Sequence, residues 1–227
     1  MPLPADLATF PIDAERRVSG LMLAPPKARA CYVLAHGAGA GMRQKFLEAA
    51  AAGLAERGIA TFRYQFPYME AGGKRPDAPK LAHLTVRAAV AEAARLQSHL
   101  PLIAGGKSFG GRMTSQAEAL AHLAGVRGLA FLGFPLHPPG KPSDERAAHL
   151  SDVKVPMLFL QGTNDEFADL ALLKPVIAAL GERATLRLFD HADHSFHVPA
   201  KSGRKDKDVL SELLDALAAW IDGIASG

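Results

Sequence analysis

Three stretches hold residues that could together perform nucleophilic chemistry. The first is Gly106-Lys107-Ser108-Phe109-Gly110, at the end of an apolar run that begins at Leu102. The second is Gly162-Thr163-Asn164-Asp165, and the third is DHADHSFH over residues 190–197. A serine hydroxyl is a poor nucleophile at neutral pH. It needs a base within hydrogen-bond reach, and the base needs an acid to orient it. Ser108, a histidine from the third stretch and Asp165 would supply these three parts.

The Gly-Lys-Ser triplet also ends phosphate-binding loops, which require G-x-x-x-x-G-K-[ST]. The first glycine of that pattern would be residue 101, which is Pro101. The loop before Gly106 is too short to wrap a phosphate, and no later strand ends in an acid placed to hold magnesium. The pattern G-x-S-x-G instead fits a sharp strand-to-helix turn that exposes a nucleophile. Residues 102–105 supply the strand and 109–123 the helix. The turn is tight enough that a Cβ at Gly106 or Gly110 would strike neighbouring backbone. The helix N-terminus would favour negative charge beside Ser108.

His194 is the first choice of base. It lies shortly after the strand that ends at Phe189 and precedes a serine and an aromatic. His191 is the second choice, with a locally bonded turn residue as the alternative; His197 is the third. Asp165 has its own bland alternative, an Asx turn or a helix N-cap. An oxyanion hole needs two backbone N–H donors, each worth about 10²–10³ in rate. Phe109, just after the nucleophile, is one. The other falls in the glycine-rich run 36–41, with Ala38 first and Gly39 second. The three histidines with Asp190 and Asp193 could suggest a metal cluster. The spacing H-x-x-H-x-x-H lacks the i, i+4 pairing of a zinc helix, so no metal is expected, and no other cofactor.

These residues need elements to carry them. Apolar runs at residues 18–23, 30–35, 59–64, 102–105, 126–133, 155–161 and 184–189 read as strands. Helical periodicity covers 44–57, 81–99, 109–123, 167–180 and 207–224, with a kink or restart at Pro175. Residues 65–80 read as a long loop, and 134–152 as a loop or a loop with one short helix. Such alternation implies an α/β fold: a single domain over residues 1–227, a mostly parallel sheet and helices on both faces. Ser108, Asp165 and His194 then all fall beyond strand C-termini, where such sheets place their sites. Only about 20 residues separate the strands ending at 133 and starting at 155, so no large lid domain is expected.

The bulk numbers narrow the class. With 48% hydrophobic residues the chain can bury a sizeable core. A net charge of +3 without a basic stripe argues against nucleic acid as a partner. No apolar stretch has the length of a membrane span. The N-terminal residues lack the basic start and apolar core of a signal peptide, so a cytoplasmic location is expected. The single cysteine, Cys31, allows no intrachain disulfide and sits in an apolar run, as a buried inert thiol would.

Taken together, AHGAGAGM (35–42), FRYQFPYME (62–70), GGKSFGGRM (105–113), GFPLHPPGKP (133–142), QGTNDEF (161–167) and DHADHSF (190–196) carry a resemblance. Over most of its length the chain resembles the α/β-hydrolase superfamily, and within it the dienelactone-hydrolase-like proteins. It is most similar to a group of hydrolases whose animal members include a testis-expressed protein and a chromatin-complex subunit. The resemblance implies the catalytic roles for Ser108, Asp165 and His194. Better-characterised dienelactone hydrolases use cysteine where this chain has Ser108, so their substrate does not carry over.

The expected activity is that of a carboxylesterase-like serine hydrolase, acting on small carboxylic esters or thioesters through an acyl-enzyme. The competing class is a binding or scaffold protein that keeps the fold without the chemistry. Arg63, Tyr68 and His137 follow strands that border the site. They would either line the pocket or hold the sheet edge. Lys107 would either bind an anionic substrate or point away into a capping contact.

Overall fold

The computed structural model describes residues 4–225. Its eight strands are β1 (Asp6–Pro11), β2 (Arg17–Leu23), β3 (Ala30–Ala35), β4 (Ile59–Tyr64), β5 (Leu102–Lys107), β6 (Val126–Leu132), β7 (Met157–Gly162) and β8 (Ala184–Phe189). They form one sheet in the order β1-β2-β4-β3-β5-β6-β7-β8. The contacts β1–β2 and β2–β4 are antiparallel, and all the others are parallel.

Among the described residues the α-helices are α1 (Lys45–Glu56), α2 (Pro67–Glu70), α3 (Pro79–Leu96), α4 (Phe109–Leu120) and α5 (Leu170–Leu180), which lie between strands, and α6 (Asp206–Ala225), which follows β8. β3, β4, β7 and all of β5 but its last residue are buried on both faces, which explains why these strands are mostly apolar, with Thr61, Arg63 and Gln161 as buried polar exceptions. One core lies between the sheet and α3, α4 and α5, around Val86, Met113, Phe131, Phe159 and Leu173. The other lies under α1 and α6, around Leu47, Leu54, Leu160, Leu213 and Leu217. Trp220 packs half-buried against that second core.

Two elements escape a reading by periodicity. β1 is an edge strand with only Phe10 buried, so it lacks the alternation that marks a half-buried strand. α2 is a single turn started by Pro67 inside a Pro- and Gly-rich stretch. Elsewhere the differences are at ends. The expected helix at 167–180 begins only at Leu170, with Asp169 as its N-cap, and continues through Pro175 without a restart. The helix after Ser108 stops at Leu120, and β7 begins at Met157. Between β6 and β7 there is only a 3-10 segment, Glu145–Asp152, so nothing of lid size covers the sheet edge. Among the described residues no helix is long and apolar enough to cross a membrane. Cys31 is fully buried, and burial pushes its thiol up to about 12.

Candidate active site

Ser108 sits at the turn from β5 to α4 with φ 48° and ψ −117°. A non-glycine residue in that region is strained. The strain persists because the flanking backbone leaves no other path. A Cβ at Gly106 would lie 2.3 Å from the Ala35 carbonyl oxygen, and one at Gly110 would lie 2.5 Å from that of His36. β5 and the start of α4 thus press directly on β3, and the serine side chain is pushed up at the sheet's edge.

There the three stretches meet. The Ser108 hydroxyl and His194 Nε2 are 2.8 Å apart, and His194 Nδ1 and Asp165 Oδ2 are 2.7 Å apart. The Asp165 side chain has no exposure to solvent, and the imidazole keeps 17%. Asp165 is further fixed by the Phe167 N–H donating to Oδ1 at 2.8 Å and by the Gln161 amide donating to Oδ2. Gln161 is itself held, accepting the Phe134 N–H at 2.9 Å. The Phe167 ring lies over the imidazole, with centroids 4.3 Å apart. Asp165 and the His194 ring are therefore each backed by further contacts.

The other two histidines are placed differently. His191 occupies a turn at φ 63°, its N–H donating to Thr163 and its carbonyl accepting from Asn164. His197 pairs with Asp206. Among the described residues no three His, Cys, Asp or Glu side chains are grouped as a metal site would need.

A second serine–histidine pair, Ser115 with His149 at 2.8 Å, lacks the same potential. Ser115 is buried within α4 and donates its hydroxyl proton to the Arg112 carbonyl, so it accepts from His149 rather than giving it a proton. Burial, with Arg112 and His83 nearby, pulls His149 down to about 4.

Ser108 opens onto a cavity of about 330 Å³. Its walls include Gly37, Ala38, Phe46, Leu47, Lys107 and Phe167. Of the four residues expected as possible lining, only Lys107 is there. Arg63 is buried and donates to the Met42 carbonyl at 3.1 Å. The Tyr68 hydroxyl accepts the Gly39 N–H at 2.9 Å. His137 ties its own loop to the start of α5, Nε2 accepting the Asp169 N–H at 2.9 Å. These three side chains hold backbone in place.

Two of them brace the glycine-rich loop that follows β3. Gln65 adds a third contact, accepting the Met42 N–H at 2.7 Å. Gly39, the second choice of oxyanion donor, is corrected by this arrangement because its N–H is already given to Tyr68. Ala38 lines the cavity, and Phe109, as the first residue of α4, has an N–H without an intrahelical acceptor.

His36 anchors the same loop from below. It is fully buried, its Nδ1 donates to the Gly37 carbonyl at 2.7 Å and its Nε2 accepts the Phe66 N–H at 3.1 Å. Burial pulls it down to about 4 from an ordinary 6.5, against the opposing effect of the Gly37 carbonyl. The unfolded chain takes up this proton below pH 6.5 and the folded chain only near 4. Stability contributed by neutral His36 is therefore complete above pH 6.5 and declines as pH falls through that window, by on the order of 3 kcal/mol. Urea midpoints between pH 7 and 4 should fall more steeply in the wild type than in His36→Gln. Equal slopes would remove His36 as a cause.

Gln161, Phe46 and Phe167 are site residues that sequence reasoning missed. Gln161 carried one faint signal, a polar residue at the end of an otherwise apolar strand. Phe46 was legible only as part of an apolar helix face.

Known proteins share this architecture. The family described as alpha/beta hydrolase domain matches residues 28–222. The match reaches that family level and not the narrower animal group. A dienelactone hydrolase from Anabaena variabilis superposes with a TM-score of 0.78 at 19% identity, covering 99% of both chains. A lidless a/b serine hydrolase from Xanthomonas campestris gives 0.74 at 21%, covering 97% of this chain and 96% of that one. The esterase domain of a Rhodothermus marinus protein gives 0.75 at 15%, covering 98% and 100%. At such identities the likeness is one of fold.

Proposed function

The chain belongs to the alpha/beta hydrolase family, and on that premise we propose that it is a serine hydrolase of small carboxylic esters or thioesters. The observation that carries the reading is the unbroken Ser108–His194–Asp165 hydrogen-bond chain opening onto a cavity. In this reading Ser108 Oγ attacks the substrate carbonyl as its proton passes to His194 Nε2. Asp165 keeps the other ring nitrogen protonated and stabilises the imidazolium. The N–H groups of Phe109 and Ala38 stabilise the developing oxyanion. His194 then returns the proton to the leaving group, and water activated by the same ring hydrolyses the acyl-enzyme.

The cavity supports small substrates. Phe46, Leu47 and Phe167 make its walls largely apolar, and the β6–β7 connection adds no lid. Two fold neighbours, a lidless serine hydrolase and an esterase domain, agree with this class. Turnover should be measured across esters and thioesters from acetyl to palmitoyl. Short acyl groups should be favoured in kcat/KM by at least about tenfold over palmitoyl, since a small pocket discriminates by fit. No turnover of any member by the folded protein would favour the non-catalytic binding reading.

A further inference from the structure

The fold holds the His194 ring through Asp165, but the backbone of His194 lies in a segment without regular structure between β8 and α6. That segment contains two non-glycine residues at positive φ, His191 at 63° and Phe196 at 62°. Asp193 organises part of it, its carboxylate accepting the N–H groups of Ser195 and His197 at 2.7 and 2.9 Å. The carbonyl of His194 has a different partner. Lys107, at the end of the nucleophile's own strand, donates its ammonium to that oxygen, and the same Nζ lies 5.6 Å from the centre of the Phe196 ring.

Space around the ammonium is kept by a glycine. Gly133, at φ +73°, would carry a Cβ 3.1 Å from Nζ and 3.4 Å from the His194 ring. A lysine beside a nucleophile could instead have reached outward to a substrate anion. Here its head is turned into the histidine segment.

We propose that Lys107 is a positioning residue for the candidate base: from the nucleophile's strand it holds the main chain of His194, so that the imidazole stays between Asp165 and Ser108. The inference rests on the hydrolase reading for its effect on reactivity. Its structural part, the brace itself, does not depend on that reading.

The brace is charge-dependent. Burial pulls Lys107 down to about 8, opposed by the nearby carboxylates Asp165 and Asp193. The other groups against it, the His194 carbonyl, the Phe196 ring and Gly133, carry no charge. Below pH 8 the ammonium gives a charge-assisted hydrogen bond; above it a neutral amine gives a weaker one. Reactivity that depends on the brace should decline as pH rises through about 8.

Purified wild type and Lys107→Met, nearly the same length without a donor, would be compared in two ways. The first is the rate of Ser108 labelling by a fluorophosphonate across pH 6 to 10. The second is hydrogen–deuterium exchange of residues 190–199. Lys107→Met should label about 10- to 100-fold more slowly at pH 7, the scale of a misplaced catalytic group. It should lack the wild-type decline near pH 8 and exchange faster over 190–199.

Unchanged labelling would overturn the proposal. So would slower labelling with the same alkaline decline and unchanged exchange. A wild type that never labels would remove the hydrolase reading instead, and faster or equal exchange in Lys107→Met would then still decide whether the brace exists.

Discussion

Ser108→Ala should lower ester turnover by about 10⁶-fold while leaving the protein folded. The variant removes only the hydroxyl. Alanine keeps the Cβ, so the backbone conformation at φ 48° costs no more than it does for serine. The tight contacts of Gly106 and Gly110 with β3 are untouched. His194 loses the proton donor 2.8 Å from Nε2 and gains no new partner. Any residual rate would come from water attacking a carbonyl still polarised by the Phe109 and Ala38 N–H groups, which on their own retain about 10³–10⁴ over solution. Steady-state kcat on a short-chain ester, with a thermal unfolding curve as the control for folding, checks this. Turnover within tenfold of the wild type would place the chemistry elsewhere.

Asp165→Asn should cost about 10⁴-fold in kcat, because it inverts the hydrogen-bond logic of a buried site. The carboxylate accepts three bonds, from Phe167 N–H at one oxygen and from Gln161 and His194 Nδ1 at the other. An amide with its oxygen toward Phe167 must point its NH₂ at two groups that are themselves donors. The imidazole can relieve the clash only by leaving Nδ1 unprotonated, which moves its proton to Nε2 and blocks acceptance from Ser108. Flipping the amide would satisfy both of those donors but set its NH₂ against the Phe167 N–H, leaving that buried donor without an acceptor. Combining Asp165→Asn with Gln161→Glu would offer the amide an acceptor and should recover stability more than rate. Wild-type kcat in Asp165→Asn would show that the acid has no orienting role.

The parts of the fold that were legible in the sequence are those buried on both faces. β3 and β4 read as strands because every residue is enclosed and, apart from Thr61 and Arg63, apolar or aromatic. β1 did not, because a strand at the sheet's rim with one buried residue has no pattern to show. That Ser108, Asp165 and His194 would meet was legible for a related reason: each follows a readable strand, and parallel sheets gather strand C-termini on one edge.

Roles that depend on where a backbone group points were not legible. Arg63, Tyr68 and His137 stand in the right neighbourhood. Whether each faces the cavity or a main-chain partner is decided by loops whose course no periodicity describes. The same holds for Lys107, whose partner lies 87 residues away at His194. Phe46 shows a third limit, since a helix face that meets the core also forms the cavity wall at its first turn.

The most direct test is to treat the folded protein with a fluorophosphonate and locate the adduct by mass spectrometry. An activated nucleophile should give a single adduct on Ser108, lost in His194→Ala. No adduct, or an adduct on another serine that survives His194→Ala, would contradict an acyl-enzyme chemistry at this site.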